Sequence, residues 1–136
     1  MMYNNHNFYT MQRQFINECQ SGNLLNSINL FQQNNFDNLV CEYAFRYACE
    51  NGHLETAKWV LSVKPSINIS ADEEYVFRDA CENGHLETAK FLLSVNPSIN
   101  IRVYERANLK NHFNNNTNII FLNLFTFQTP ILHIIK

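Results

Sequence analysis

Glycine is scarce: three residues in a chain of 136, where a share of about 7% is usual. That scarcity excludes a glycine-rich loop cradling phosphate groups, because all three glycines belong to a repeat described below. An excess of positive charge is also missing. Ten Lys and Arg stand against twelve Asp and Glu, for a formal net charge of −2 and an isoelectric point near 6.2. Without a basic surface, sequence-independent binding to a nucleic acid backbone is not expected. Residues 1–10 (MMYNNHNFYT) lack a basic start followed by an apolar run, so a secretory signal is not expected. A reduced, cytoplasmic setting follows, and the four cysteines read as thiols. Long hydrophobic runs are lacking too. The most apolar stretch, 119–135, is broken by Asn123, Thr126, Gln128, Thr129, Pro130 and His133, whereas a spanning helix wants about 20 predominantly apolar residues.

What is present suits one domain with a core: 46% of residues are hydrophobic and 16% charged. Asparagine occurs 22 times, an excess that AT-rich codons explain in part. The organising feature is an internal repeat. Residues 44–69 (AFRYACENGHLETAKWVLSVKPSINI) and 76–101 (VFRDACENGHLETAKFLLSVNPSINI) agree at 21 of 26 positions at an offset of 32. A fainter copy precedes them, with Phe15, Cys19, Gly22, Leu24, Leu30, Phe31 and Asn38 lying 30 residues before Phe45, Cys49, Gly52, Leu54, Val60, Leu61 and Asn68. Gly22, Gly52 and Gly84 share one repeat position.

The spacing inside each copy is helical. Phe45, Ala48 and Cys49 form one i, i+3, i+4 stripe, and Leu54, Ala57, Val60 and Leu61 form a second after the glycine. Each copy therefore reads as two short helices, with Gly22, Gly52 and Gly84 as structural turns that close the first helix in a left-handed conformation. Glu55 and Glu87 suit the positive start of the second helix, with Lys58 and Lys90 as surface partners. Pro65 and Pro97 follow its end. Such helices bury their stripes only against neighbouring copies, so the expected fold is all-α, a short α-solenoid, in which Leu54 and Leu86 bury between layers. The connector at 70–74 (SADEE) has no glycine for a hairpin tip, so the hairpins are expected to be poorly formed, and Asp72 reads as a helix N-cap. The array spans 11–101, in repeats at about 11–40, 41–70 and 71–101. It follows an Asn-rich lead-in at 1–10 and precedes a degenerate partial repeat and irregular apolar tail at 102–136, with one further helix expected over about 103–113. The decay after 101 is consistent with an array truncated or read out of frame.

The segments GHLETAKWVL and GHLETAKFLL, preceded by AC and followed by PSINI, resemble the central block of the ankyrin repeat, whose period is about 33 residues. The wording ACENGHLETAK is similar to the divergent ankyrin arrays encoded by giant DNA viruses of amoebae. The resemblance implies a non-enzymatic scaffold that binds another protein through loop tips and the exposed face of the first helices, in the cytoplasm of a host cell if viral. Carried over to this chain, that face contains Arg46, Tyr47 and Glu50 in one copy and Arg78, Asp79 and Glu82 in the next. Tyr47 against Asp79 is the largest chemical change between the near-identical copies.

Chemistry weighs against an enzyme or a metal site. The pairs Cys49/His53 and Cys81/His85 have a spacing that suggests zinc, but equivalent positions of stacked helices lie about 8 to 10 Å apart, while zinc holds its ligands at about 2.0 to 2.3 Å. A Cys–His pair that recurs with the repeat is scaffold, not a unique catalytic pocket. No cofactor, metal or small-molecule substrate is expected. Tyr43, Tyr47 and Tyr75 read equally as contact residues or fillers, while Trp59 and Phe91 read as packing between repeats. Two other readings stand beside the scaffold: a vestigial array without a dedicated ligand, and an adaptor attached to a membrane through the apolar tail.

Overall fold

A computed structural model describes residues 5–68 and 73–99. The described residues are all-α, with six helices: α1 (Asn5–Gln20), α2 (Leu24–Gln33), α3 (Asn38–Glu50), α4 (Leu54–Val63), α5 (Glu73–Glu82) and α6 (Leu86–Val95). The chain divides into two compact units, with the boundary after Ala71. The expectations for 102–136, including the further helix and the apolar tail, and for Asp72 as a cap fall outside the described residues.

In the first unit, α1 pairs with α2, α3 pairs with α4, and α1 lies against α3. This is the side-by-side stacking step of an α-solenoid. Buried side chains line both helices: Phe15 and Cys19 on α1, and Val40, Cys41, Ala44, Phe45, Ala48 and Cys49 on α3. On the other side of the stack, Trp59 of α4 sits edge-on to Phe31 of α2, with ring centroids 5.5 Å apart, and 6.3 Å from Phe15. Trp59 thus joins one copy to the previous one, as a packing residue does. Phe36, in the link between α2 and α3, is almost wholly buried and stacks on Phe15 at 4.5 Å.

All three turn glycines have positive φ: 74° at Gly22, 75° at Gly52 and 82° at Gly84. Each closes its helix with the same two bonds. His53 N–H donates to Ala48 O at 2.8 Å and Gly52 N–H to Cys49 O at 3.0 Å; the pairs His85 to Ala80 and Gly84 to Cys81, and Asn23 to Glu18 and Gly22 to Cys19, repeat the pattern. This is a Schellman closure, in which two orphan carbonyls are satisfied by a chain that turns through a left-handed residue.

One feature differs from the sequence expectation. Leu54 and Leu86 are half-buried; the inward positions of the second helices are instead Thr56, Ala57 and Val60 in α4 and Thr88, Ala89, Leu92 and Leu93 in α6. The start of the helix sits at its capped turn, and the buried stripe begins two residues later. Helix α3 begins at Asn38, where Asp37 caps it by accepting from Val40 N–H at 2.9 Å. Helix α1 begins at Asn5.

The Pro-Ser-Ile segments after α4 and α6 make the same turn, with Ile67 N–H on Lys64 O at 3.2 Å and Ile99 N–H on Asn96 O at 3.3 Å. Both isoleucines are buried. In the first unit the segment is tied back to α3 by Asn68 N–H donating to the Glu42 carboxylate at 2.8 Å. The second unit pairs α5 with α6. Among the described residues its interior contains Val76, Phe77, Ala80 and Cys81 on α5, the four inward residues of α6, and Ile99.

Candidate partner-binding face

The buried stripe of α3 leaves Tyr43, Arg46, Tyr47 and Glu50 on its outer face, at i, i+3, i+4 and i+7, the spacing that places side chains in one row. The structure brings these four together. The Arg46 guanidinium lies over the Tyr43 ring at 4.8 Å and the Tyr47 ring at 5.4 Å. It also reaches the Glu50 carboxylate at 3.8 Å. The two tyrosine rings are near-parallel, with centroids 6.4 Å apart.

Helix α5 repeats the arrangement with one change. Arg78 lies over the Tyr75 ring at 4.7 Å and reaches Glu82 at 3.8 Å and Asp79 at 3.9 Å. The difference between Tyr47 and Asp79 is therefore a change of partner for the same guanidinium: a second aromatic ring in α3, a second carboxylate in α5. Cation–π contacts of this exposure contribute about 0.5 to 1 kcal/mol, and exposed ion pairs about 0 to 1 kcal/mol. The rows are thus held in shape more than they hold the fold.

Tyr43 and Tyr75 are exposed aromatic members of these rows, 38% and 50% accessible. Tyr43 belongs to the face of α3 with Arg46, Tyr47 and Glu50, and Tyr75 to the face of α5 with Arg78, Asp79 and Glu82; sequence reasoning left the role of both tyrosines open. The signal was available, since Tyr-x-x-Arg-x-x-x-Glu occurs twice at the repeat offset. The equivalent positions of α1, 30 residues before those of α3, are Arg13, Ile16 and Gln20, so the row is not carried by the first copy.

The cysteines are built into the interior. All four are thiols and all four are buried. Burial pushes the Cys19 and Cys41 thiols up to about 11 and the Cys81 thiol up to about 12. Cys19 donates to the Ser27 hydroxyl at 3.4 Å, and Ser27 in turn donates to Asn23 O at 2.8 Å. Thiols held protonated in this way are poor nucleophiles, since the thiolate is the reactive form. Among the described residues no three His, Cys, Asp or Glu side chains are grouped as metal ligands would be. His53 has a packing position: its imidazole lies directly over Gly22 of the preceding copy, so that a Cβ there would stand 2.6 Å from His53 Cγ. Among the described residues, no helix is long and apolar enough to cross a membrane.

Among families of known proteins, the model for ankyrin repeats, in three copies, matches residues 15–103. No curated protein and no solved structure matches.

Proposed function

From the premise that this chain belongs to the ankyrin-repeat family, we propose that it is a non-enzymatic scaffold that captures another protein on the outer face of its first helices. Ankyrin repeats are in general protein-interaction modules. The observation that carries the reading is the duplicated row, Tyr43–Arg46–Glu50 and Tyr75–Arg78–Glu82. Each row presents an exposed aromatic ring, with its arginine already stacked and paired. Exposed aromatic side chains held in one conformation contribute large contact area at little entropic cost on binding. Tyr47 and Asp79 then give the two rows different chemistry, one aromatic and one acidic. The ACENGHLETAK wording supports an origin among the viral arrays it resembles, and with it action in a host cytoplasm.

Proximity labelling in the native cell, using the full chain, tests the proposal. The Tyr43→Ala/Tyr75→Ala variant is expected to lose one dominant labelled protein that the parent and a Lys58→Ala control on α4 both retain. Labelling left unchanged by the tyrosine variant removes this face, and background labelling by the parent favours an array without a dedicated ligand. Arg46→Glu is a poorer probe. It would set a second carboxylate beside Glu50 in a row whose side chains are only 23% and 20% exposed, and so perturb the helix itself.

A further inference from the structure

Two of the three helix closures contain the pair Asn-Gly, at Asn51-Gly52 and Asn83-Gly84; the third has Ser21 before Gly22. Asparagine before glycine is chemically labile, because glycine leaves its own backbone nitrogen unhindered. That nitrogen attacks the asparagine Cγ. A new N–Cγ bond forms as the nitrogen gives its proton to solvent, and the Cγ–Nδ2 bond breaks, with nitrogen leaving as ammonia after taking up a solvent proton. Water then opens the resulting succinimide at either carbonyl, which yields aspartate or isoaspartate.

Both asparagines are exposed to solvent, yet the fold occupies both reacting groups. The Asn51 Nδ2 amide donates back to Tyr47 O at 2.8 Å, and that of Asn83 to Asp79 O at 2.9 Å. The attacking nitrogens are committed as well: Gly52 N–H donates to Cys49 O at 3.0 Å and Gly84 N–H to Cys81 O at 3.1 Å. Attack requires the side chain to swing away from the helix and the glycine N–H to leave its carbonyl, which together amount to opening the closure. We propose that Asn51 and Asn83 are latent deamidation sites gated by these helix closures, so that the second and third copies each carry a chemical record of their own local opening.

The product does not restore the gate. A carboxylate at either position cannot donate to the carbonyl that its amide bonded, and it faces the negative end of the helix. Isoaspartate also routes the chain through Cβ. The added backbone atom spoils the register of the glycine and histidine N–H groups with their two carbonyls. Opening is thereby converted from a reversible fluctuation into a permanent loosening of the turn between paired helices.

The test is peptide mapping by mass spectrometry, with enzymatic methyl transfer to isoaspartate, on the full chain aged at one pH and temperature with and without denaturant. In denaturant, Asn51 and Asn83 are expected to deamidate faster than Asn38, which precedes Leu39. In the folded chain both are expected to be at least about tenfold slower than in denaturant, the suppression given by an opening free energy of about 1.4 kcal/mol. The rate is expected to rise with denaturant added below the main transition. Equal rates in the folded and unfolded chain would overturn the gating, and no advantage over Asn38 in denaturant would overturn the chemistry. Asn51→Asp, which reproduces one product, is expected to lower the thermal midpoint; an unchanged midpoint overturns the claim that the modified closure is weakened.

Discussion

Gly22 meets two requirements that no other residue meets together. Its φ of 74° lies in the left-handed region, which costs an L-residue about 1 to 2 kcal/mol, and the His53 imidazole occupies the space a side chain would need. Gly22→Ala is therefore expected to destabilise the chain by about 2 to 3 kcal/mol, measured by urea unfolding. His53→Ala in the same chain relieves the overlap but not the backbone strain, so the double variant is expected to recover part of the loss, and strictly additive losses would show that the contact is unimportant. The glycine was legible in the sequence, because it recurs at one position of every copy. Its second requirement was not, because the histidine that presses on it comes from the following copy, about 30 residues away in the chain. The cysteines show the same split: their spacing identified them as scaffold, while the protonation that burial enforces depended on how closely the helices approach.

At the scale of helices, the start of α3 was the least legible feature. The two copies agree from 44 or 76 onward, which draws attention to that point as a beginning, yet the helix starts six residues before residue 44, at Asn38. The deciding group is the Asp37 carboxylate on Val40 N–H. Asp37→Ala is expected to cost about 1 kcal/mol and Asp37→Asn much less, since either acceptor side chain caps, with the urea midpoint as the readout. Trp59 is the corresponding residue on the second helices. Its contacts with Phe31 and Phe15 predict that Trp59→Ala costs about 3 kcal/mol. Trp59→Phe is expected to cost under about 1.5 kcal/mol, because the other copy carries Phe91 at this position.

For the molecule as a whole, the thiols make stability depend on alkaline pH. A thiol whose ordinary value is 9.0 and whose folded value is about 11 or 12 is protonated in both states below pH 9, where its full contribution is present. Above that the unfolded chain loses the proton first, so stability falls as pH rises toward the folded value. Urea midpoints are expected to drop over this window, and the drop is expected to be shallower in Cys81→Ala; an equal slope would show that other groups cause it. Chelator treatment, by contrast, is expected to leave the thermal midpoint unchanged, given the lack of grouped ligands among the described residues. The sequence by itself determined the helical class, the repeat, its glycine turns and the lack of an excess of positive charge, because these follow from spacing and composition, and a duplicated segment states its spacing twice. Only tertiary structure decided that Thr56 and not Leu54 faces inward, that Phe36 fills the link between copies, and that Arg46 and Arg78 lie stacked on tyrosines. Burial and side-chain partnership arise where distant segments meet, and no single stretch of chain contains both sides of such a contact.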